Sequence, residues 1–202
     1  MEYLDNLLNS GNELFLKKCF SDAISKYKKI LESDPTNLNA INNMGYALSK
    51  SKDYQSAINC YDIGLKNNPH EKTLLINKIS ILRKMNMLDS ALDNCNIILS
   101  KNSNQLIVMY HKLRILKTMK RYEESIKICD KILQSYPNNG DVLFDKATNL
   151  ALLGRDDECL ESLNLLINIS NKFKIKIRNN KMFAKLQKNK NFLKLLNDQS
   201  VK

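Results

Sequence analysis

Apolar residues recur at three- and four-residue intervals along almost the whole chain, which is the spacing of one face of an α-helix. The clearest stretch runs from Leu38 to Glu71 and predicts two short amphipathic helices, Leu38–Ser49 and Tyr54–Lys66. Met44, Leu48, Ile58, Tyr61 and Leu65 supply the apolar stripes. Asp53 is placed to cap the second helix, because a short side-chain oxygen accepts an orphan backbone N–H. Pro69 closes the unit, since proline cannot continue a helix. Gly45, Ala57 and Gly64 stand where two helices would have to come close.

The same pattern returns when the chain is shifted by 34 residues. Pro35, Pro69 and Pro137, the only prolines, lie 34 and 68 apart. Gly11 and Gly45 form a row at that spacing, as do Ala23, Ala57 and Ala91, and Phe20, Tyr54, Leu88 and Tyr122. Tyr27 and Tyr61 form another, which Cys95 and Cys129 continue. Two helices per 34-residue period mark a repeat architecture. One such unit cannot bury both of its apolar faces, so copies must stack.

The order small–aromatic–Ala–aromatic–small–Pro resembles the tetratricopeptide repeat (TPR). The likeness is strongest in Leu38–Glu71 and good in Leu4–Asn37, which carries Leu7, Gly11, Leu14, Phe20, Ala23, Tyr27 and Pro35. It is weaker in Lys72–Gln105, where Ile79 replaces the Gly, Cys95 the aromatic and Ser103 the Pro. Leu106–Asn139 has Leu113 for Gly and Ser125 for Ala. Gly140–Asn171 keeps Ala147, Leu150 and Gly154 but has Cys159 for Ala and no Pro. The resemblance implies an all-α fold, a right-handed α-solenoid of helix-turn-helix hairpins. It would comprise five tandem repeats in residues 1–171 (4–37, 38–71, 72–105, 106–139 and 140–171).

Residues 172–202 then form a basic C-terminal tail. Phe173, Ile175 and Ile177 alternate with Lys as in a strand, but a lone strand has no partner in a helical chain, so helix is expected. Phe183 and Leu186, then Phe192, Leu195 and Leu196, have one-sided helical spacing. They suit helices that cover the apolar face left open by the last repeat.

Composition adds limits. No apolar run approaches the roughly 18–20 residues that span a bilayer, and no leader with a cleavage site precedes the first helix, which begins almost at Met1. A cytoplasmic protein with no membrane span, and a monomer, is expected. The five cysteines are odd in number and lack C-x-x-C spacing, so buried thiols in a reducing compartment are expected. The net charge is +11, and residues 172–202 hold most of it, with ten Lys/Arg against the single acid Asp198. Lys and Asn abound and Arg is scarce, a usage that AT-rich coding also produces.

Enzymatic chemistry finds little support. His70 and His111 are the only side chains suited to near-neutral proton transfer without a shifted pKa. No phosphate-binding glycine motif and no metal-ligand spacing occur, so no cofactor and no metal are expected. Asp156, Asp157 and Glu158 begin a helix, where acids favour the helix dipole.

The resemblance implies that the first helix of each repeat lines a concave groove. The side chains placed there are Asp5, Leu8, Asn9, Asn12 and Phe15 in the first repeat, and Asn39, Asn42, Asn43, Tyr46 and Lys50 in the second. The third gives Thr73, Ile76, Asn77, Ser80, Arg83 and Lys84, the fourth Ile107, Tyr110, His111, Arg114 and Lys117, and the fifth Asp141, Phe144, Asp145 and Thr148. Amides both donate and accept, which suits the main chain of an extended peptide. Arg83, Lys84, Arg114 and Lys117 would favour an acidic group or a C-terminal carboxylate near repeats three and four. TPR domains that clamp acidic chaperone tails use three cations and two Asn. The matching positions here are Leu8, Asn12, Asn43, Thr73 and Asn77, so the cations are absent and that ligand is not expected. The expected function is a non-enzymatic protein–protein interaction scaffold, holding a peptide or helix at Asn9, Asn12, Asn43, Tyr46, Asn77, Arg83, Tyr110, His111 and Arg114. The alternative is nucleic-acid or anionic-surface association through Lys172–Lys194. A self-associating scaffold would use Leu8 and Phe15.

Overall fold

The computed structural model describes residues 2–197. Met1 and residues 198–202, including Asp198 and the end of the expected cap, lie outside the described residues. Every regular element among the described residues is helical. The chain forms two compact units, residues 1–111 and 112–202.

The first unit holds α1 (Glu2–Leu16), α2 (Phe20–Ser33), α3 (Leu38–Lys50), α4 (Tyr54–Asn67), α5 (Lys72–Lys84) and α6 (Leu88–Lys101). α7 (Leu106–Thr118) contains the boundary between the units. The second unit continues with α8 (Tyr122–Ser135), α9 (Gly140–Leu153), α10 (Asp156–Ile169), α11 (Phe173–Arg178), a 3-10 helix (Lys181–Lys188) and α12 (Lys190–Asn197). The two helices expected after Leu38 and Tyr54 are α3 and α4, each one residue longer. Each helix from α1 to α6 packs on the next, as do α8, α9 and α10, and α1, α3 and α5 also touch in succession. This sequential packing is that of an all-α α-solenoid.

The turn inside each hairpin explains why the helices stop where they do. Lys18, Lys52, Asn86 and Lys120 have φ near +60°, and Gly154 has φ +73°; the five stand 34 residues apart. At each, the left-handed residue and its successor donate N–H bonds back across the helix end, as from Lys18 to Phe15 and from Cys19 to Leu14. This satisfies carbonyls the helix leaves orphaned. Between hairpins the N-caps are side chains: Asn37, Glu71 and Asn139 accept from Ala40, Thr73 and Val142 N–H. Asp53 caps α4 as expected, through Ser56 N–H.

The helices pack around one small-to-large pair per hairpin. A Cβ on Gly11 would stand 2.6 Å from the Tyr27 ring, and one on Gly45 2.5 Å from the Tyr61 ring. The equivalent positions hold Ile79 with Cys95, Leu113 with Cys129 and Ala147 with Leu163, all fully buried. The bulk is thus moved from one helix to the other, so the weaker third and fourth repeats are compensated rather than degraded.

Four cysteines are buried as expected, but Cys19 is exposed. It is the N-cap of α2, where the side chain leaves the helix. Burial pushes the Cys60, Cys129 and Cys159 thiols up to about 12, which leaves them protonated and inert.

The tail is helical, not extended. Its apolar residues are split by Asn189 into the 3-10 helix and α12, whose first turn Asn189 caps through Asn191 and Phe192 N–H. Ile177, Phe183, Leu186, Phe192 and Leu196 join the core of α9 and α10. Phe183 meets Phe144 edge-on at 5.9 Å and Phe192 at 6.3 Å.

Candidate functional site

In the first unit the first helices of successive hairpins are tied by amides. Asn77 Nδ2 donates to Asn42 Oδ1 (2.8 Å), Asn42 Nδ2 to Asn43 Oδ1 (3.1 Å), and Asn43 Nδ2 to Asn12 Oδ1 (2.9 Å). The Tyr27 hydroxyl also donates to Asn12 Oδ1, at 2.9 Å. Two donors thus meet that oxygen, and the Asn12 Nδ2 donors have no partner among the described residues. At the other end Asn77 Oδ1 is left as an acceptor.

Beside this row lies an open cavity of about 320 Å³ lined by Asn12, Phe15, Leu16, Tyr27, Asn43 and Tyr46. Its floor is aromatic: Phe15 and Tyr46 rings are 5.3 Å apart, and Phe20 lies 5.4 Å behind Phe15. Leu16 and Tyr46 are exposed, at 80 % and 42 %. Lys50 places its ammonium 5.1 Å from the Tyr46 ring centre. A second cavity of about 270 Å³, lined by Leu38, Asn39, Asn42, Glu71, Thr73 and Leu74, shares Asn42 with the amide row.

Tyr46 stands where Asn12 stands one repeat earlier. Tyr27, buried, has its hydroxyl satisfied by Asn12; Tyr61, equally buried, has no partner for its hydroxyl. Burial raises the pKa of both phenols. A buried hydroxyl without a partner costs about 1–3 kcal/mol. Position 46 thus leaves the Tyr61 hydroxyl without the partner that Asn12 gives Tyr27.

The expected site residues divide. Asn12, Asn43 and Tyr46 share the cavity, and Asn77 reaches it through Asn42. Arg83 Nη1 lies 3.1 Å from His111 Nδ1, a pair apart from the cavity lining. Asn9 is exposed on α1, and Tyr110 is half-buried on α7; neither lines the cavity. Arg114, in the second unit, is exposed, and its carbonyl accepts from the Thr118 hydroxyl. Phe15 and Asn42 faced the expected groove without being among its expected contacts, and both belong to the site. Leu16 and Tyr27 join them with no such forewarning. The signal was present in the spacing. Across hairpins the touching pairs are Asn12–Asn43 and Phe15–Tyr46, 31 apart, and Asn42–Asn77, 35 apart, so neighbours sit off the 34-residue row.

The second unit corrects the expected groove. Lys117 Nζ is 2.6 Å from Asp145 Oδ1 and 3.0 Å from Thr148 Oγ1, so these groups satisfy each other. Phe144 and Thr148 are buried, not groove-facing, and the 3-10 helix packs on α9. Lys176 lies 3.7 Å from Asp141 and 4.1 Å from the Phe144 ring centre. Asp145 is thereby paired, whereas Asp141 stays largely exposed, with Lys176 at the edge of ion-pair distance. Among the described residues no helix is long and apolar enough to cross a membrane, and no group of three or more His, Cys, Asp or Glu is arranged to hold a metal.

Family profiles described as tetratricopeptide repeat match residues 26–59 and 107–139. No curated protein matches the sequence. Among solved structures, MamA superposes with a TM-score of 0.76 at 17 % identity, covering 87 % of this chain and 95 % of its own. YrrB, described as a TPR protein with an unusual peptide-binding site, gives 0.71 at 18 % identity, covering 90 % of each chain. A tetratricopeptide repeat protein from Parabacteroides merdae gives 0.67 at 16 % identity, covering 96 % of this chain and 82 % of its own. The chain thus carries tetratricopeptide-repeat sequence at residues 26–59 and 107–139 and shares the helical fold of solved tetratricopeptide-repeat structures.

Proposed function

We propose that the chain is a non-enzymatic interaction scaffold that holds an extended peptide segment of a protein partner against the first helices of its first unit. The observation that carries this is Tyr46. It forms an aromatic floor with Phe15 while leaving the Tyr61 hydroxyl unsatisfied. The floor suits a bulky apolar side chain. The unpartnered Asn12 Nδ2, one residue layer away, suits a main-chain carbonyl of the same segment. The cavity lining holds hydrogen-bond donors and apolar area but no nucleophile–base pair, so its chemistry is that of holding. YrrB, with the same fold, carries a peptide-binding site by its description, which supports the reading at the level of fold.

The test is selection from a random peptide library on the full chain, followed by affinity measurement against variants. Selected peptides should share a large apolar residue. Tyr46→Ala and Asn12→Ala should each weaken them about tenfold, the loss of roughly 1.4 kcal/mol. Peptides that bind both variants as tightly as the parent would sink the proposal. Arg114→Glu, outside the cavity, should leave affinity within about twofold.

A further inference from the structure

The folded cap of the second unit has a surface unlike the rest of the protein. Residues 172–197 carry nine Lys/Arg and no acid. Residues 1–171, with 22 Lys/Arg and 20 Asp/Glu, are nearly balanced in charge, and some of their cations meet carboxylates: Lys78 with Asp62, Lys146 with Asp130, Arg121 with Glu124, Arg155 with Glu123 and Glu158. In the cap Lys176 reaches a carboxylate, and Arg178 bonds an amide, Asn197 Oδ1. Lys181, Lys185, Lys188, Lys190 and Lys194 are exposed and have no ion-pair partner among the described residues.

Such a cluster repels itself, and a need for solubility alone would be met equally by mixed charges. It also does not explain the aliphatic side chains exposed on the same elements: Ile175 on α11 (68 % exposed), Met182 on the 3-10 helix (47 %) and Leu193 on α12 (44 %). The cap's inward face is already supplied by other residues. Its aromatic residues point the other way, with Phe183 and Phe192 buried and Phe173 packed against Gly140. A nucleic-acid surface would show the reverse, with rings offered for base stacking. Lysines with exposed aliphatics and withdrawn rings fit a surface of anionic headgroups over acyl chains.

We infer that the C-terminal cap docks peripherally on anionic lipid membranes, its lysines on the headgroups and Ile175, Met182 and Leu193 at the acyl boundary. This surface is separate from the peptide cavity, and either can hold without the other. The experiment is co-sedimentation of the full chain with vesicles of phosphatidylcholine alone or mixed with phosphatidylserine. Heparin and duplex RNA serve as soluble polyanions. The chain should sediment only with the mixed vesicles, and less as salt rises. Each cation at an anionic surface contributes roughly fivefold in partition, so K185Q/K188Q/K190Q should lower it about a hundredfold. I175S/L193S should lower vesicle partition about tenfold while leaving heparin binding unchanged. Equal partition on neutral vesicles overturns the inference, as does indifference to I175S/L193S, which would mark a general polyanion site. Tighter binding to RNA than to the mixed vesicles overturns it in favour of nucleic acid. All five positions are exposed, so circular dichroism should match the parent; if the lysine variant misfolds, the I175S/L193S arm decides alone.

Discussion

The first and last hairpins use the polar side chains of their first helices in opposite ways. On α1 and α3, amides bond to one another across hairpins and keep donors in reserve beside an open cavity. On α9, most of the corresponding residues are consumed: Asp145 and Thr148 by Lys117, and Phe144 by the cap. Part of the difference is a cation on the preceding first helix, Lys117, and part is whether a later segment of the chain returns over the helix. Among the described residues nothing packs over Phe15 and Leu16 beyond their own neighbours, whereas the tail folds back over α9 and α10. Recognition chemistry therefore has to be sought where the repeat's polar valences stay open, not wherever the repeat places a polar residue.

The largest effect should come from opening the closed end. Phe183→Ala removes a fully buried ring from between Phe144 and Phe192 and should cost about 3–5 kcal/mol, read as a lowered denaturation midpoint. Overpacking the open end comes next. Gly45→Ile drives a side chain into the Tyr61 ring and should cost about 3 kcal/mol, at the upper end for overpacking. Adding Tyr61→Cys recreates the Ile79/Cys95 arrangement and should recover more than half of the loss. If the double variant is no better than the single one, the exchange of bulk between helices is not what compensates the third repeat.

The two buried tyrosines sharpen the comparison within the first unit. Tyr27→Phe deletes a made hydrogen bond and should cost about 1 kcal/mol. Tyr61→Phe deletes a hydroxyl with no partner and should be neutral or stabilising by up to about 1 kcal/mol. Equal losses at both positions would remove the case for Tyr46. A similar gain, about 1 kcal/mol, is expected for Lys52→Gly, because a side chain at φ +68° is strained and glycine is not.

A pH response gives a further contrast, confined to alkaline solution. The Cys60, Cys129 and Cys159 thiols stay protonated in the fold up to about 12, whereas a free thiol ionises near 9.0. Their raised values leave stability intact below pH 9 and remove it progressively as pH rises from 9 towards 12. Denaturation midpoints should fall over that window, and less steeply in a Cys60→Ala variant. In the native protein a thiol reagent should reach Cys19 alone.

The helices and their 34-residue period were legible because apolar spacing and proline placement act locally. The Gly11–Tyr27 and Gly45–Tyr61 pairs could be seen as two rows but not as one contact, since their complementarity appears only when α1 meets α2 and α3 meets α4. That is why Ile79 and Cys95 looked like separate departures. The left-handed turn escaped notice because its row reads Lys18, Lys52, Asn86, Lys120, Gly154, and lysine does not advertise positive φ. Among residues at the cavity and its amide row, the placement of Asn12, Asn43, Tyr46 and Asn77 on one side was readable from helix facing. Facing also put Phe15 on the right side, but not its place in an aromatic floor, and it left out Leu16. Exposure at the end of α1 depends on what does not cover it. Phe144 was misplaced because facing says nothing about a tail that returns over the same helix, and facing alone could not show that Lys117, Asp145 and Thr148 satisfy one another.

The amide row has a sense of direction. Each asparagine gives a proton to the next, from Asn77 to Asn12, and none can turn over alone without setting oxygen against oxygen or nitrogen against nitrogen. A ligand that offers a carbonyl to Asn12 keeps the row as it stands. One that offers an N–H there requires four side chains to reverse together, and the Tyr27 hydroxyl to lose its acceptor. On the proposed reading, the polarity of the row would favour a segment that presents a carbonyl, rather than an N–H, at Asn12.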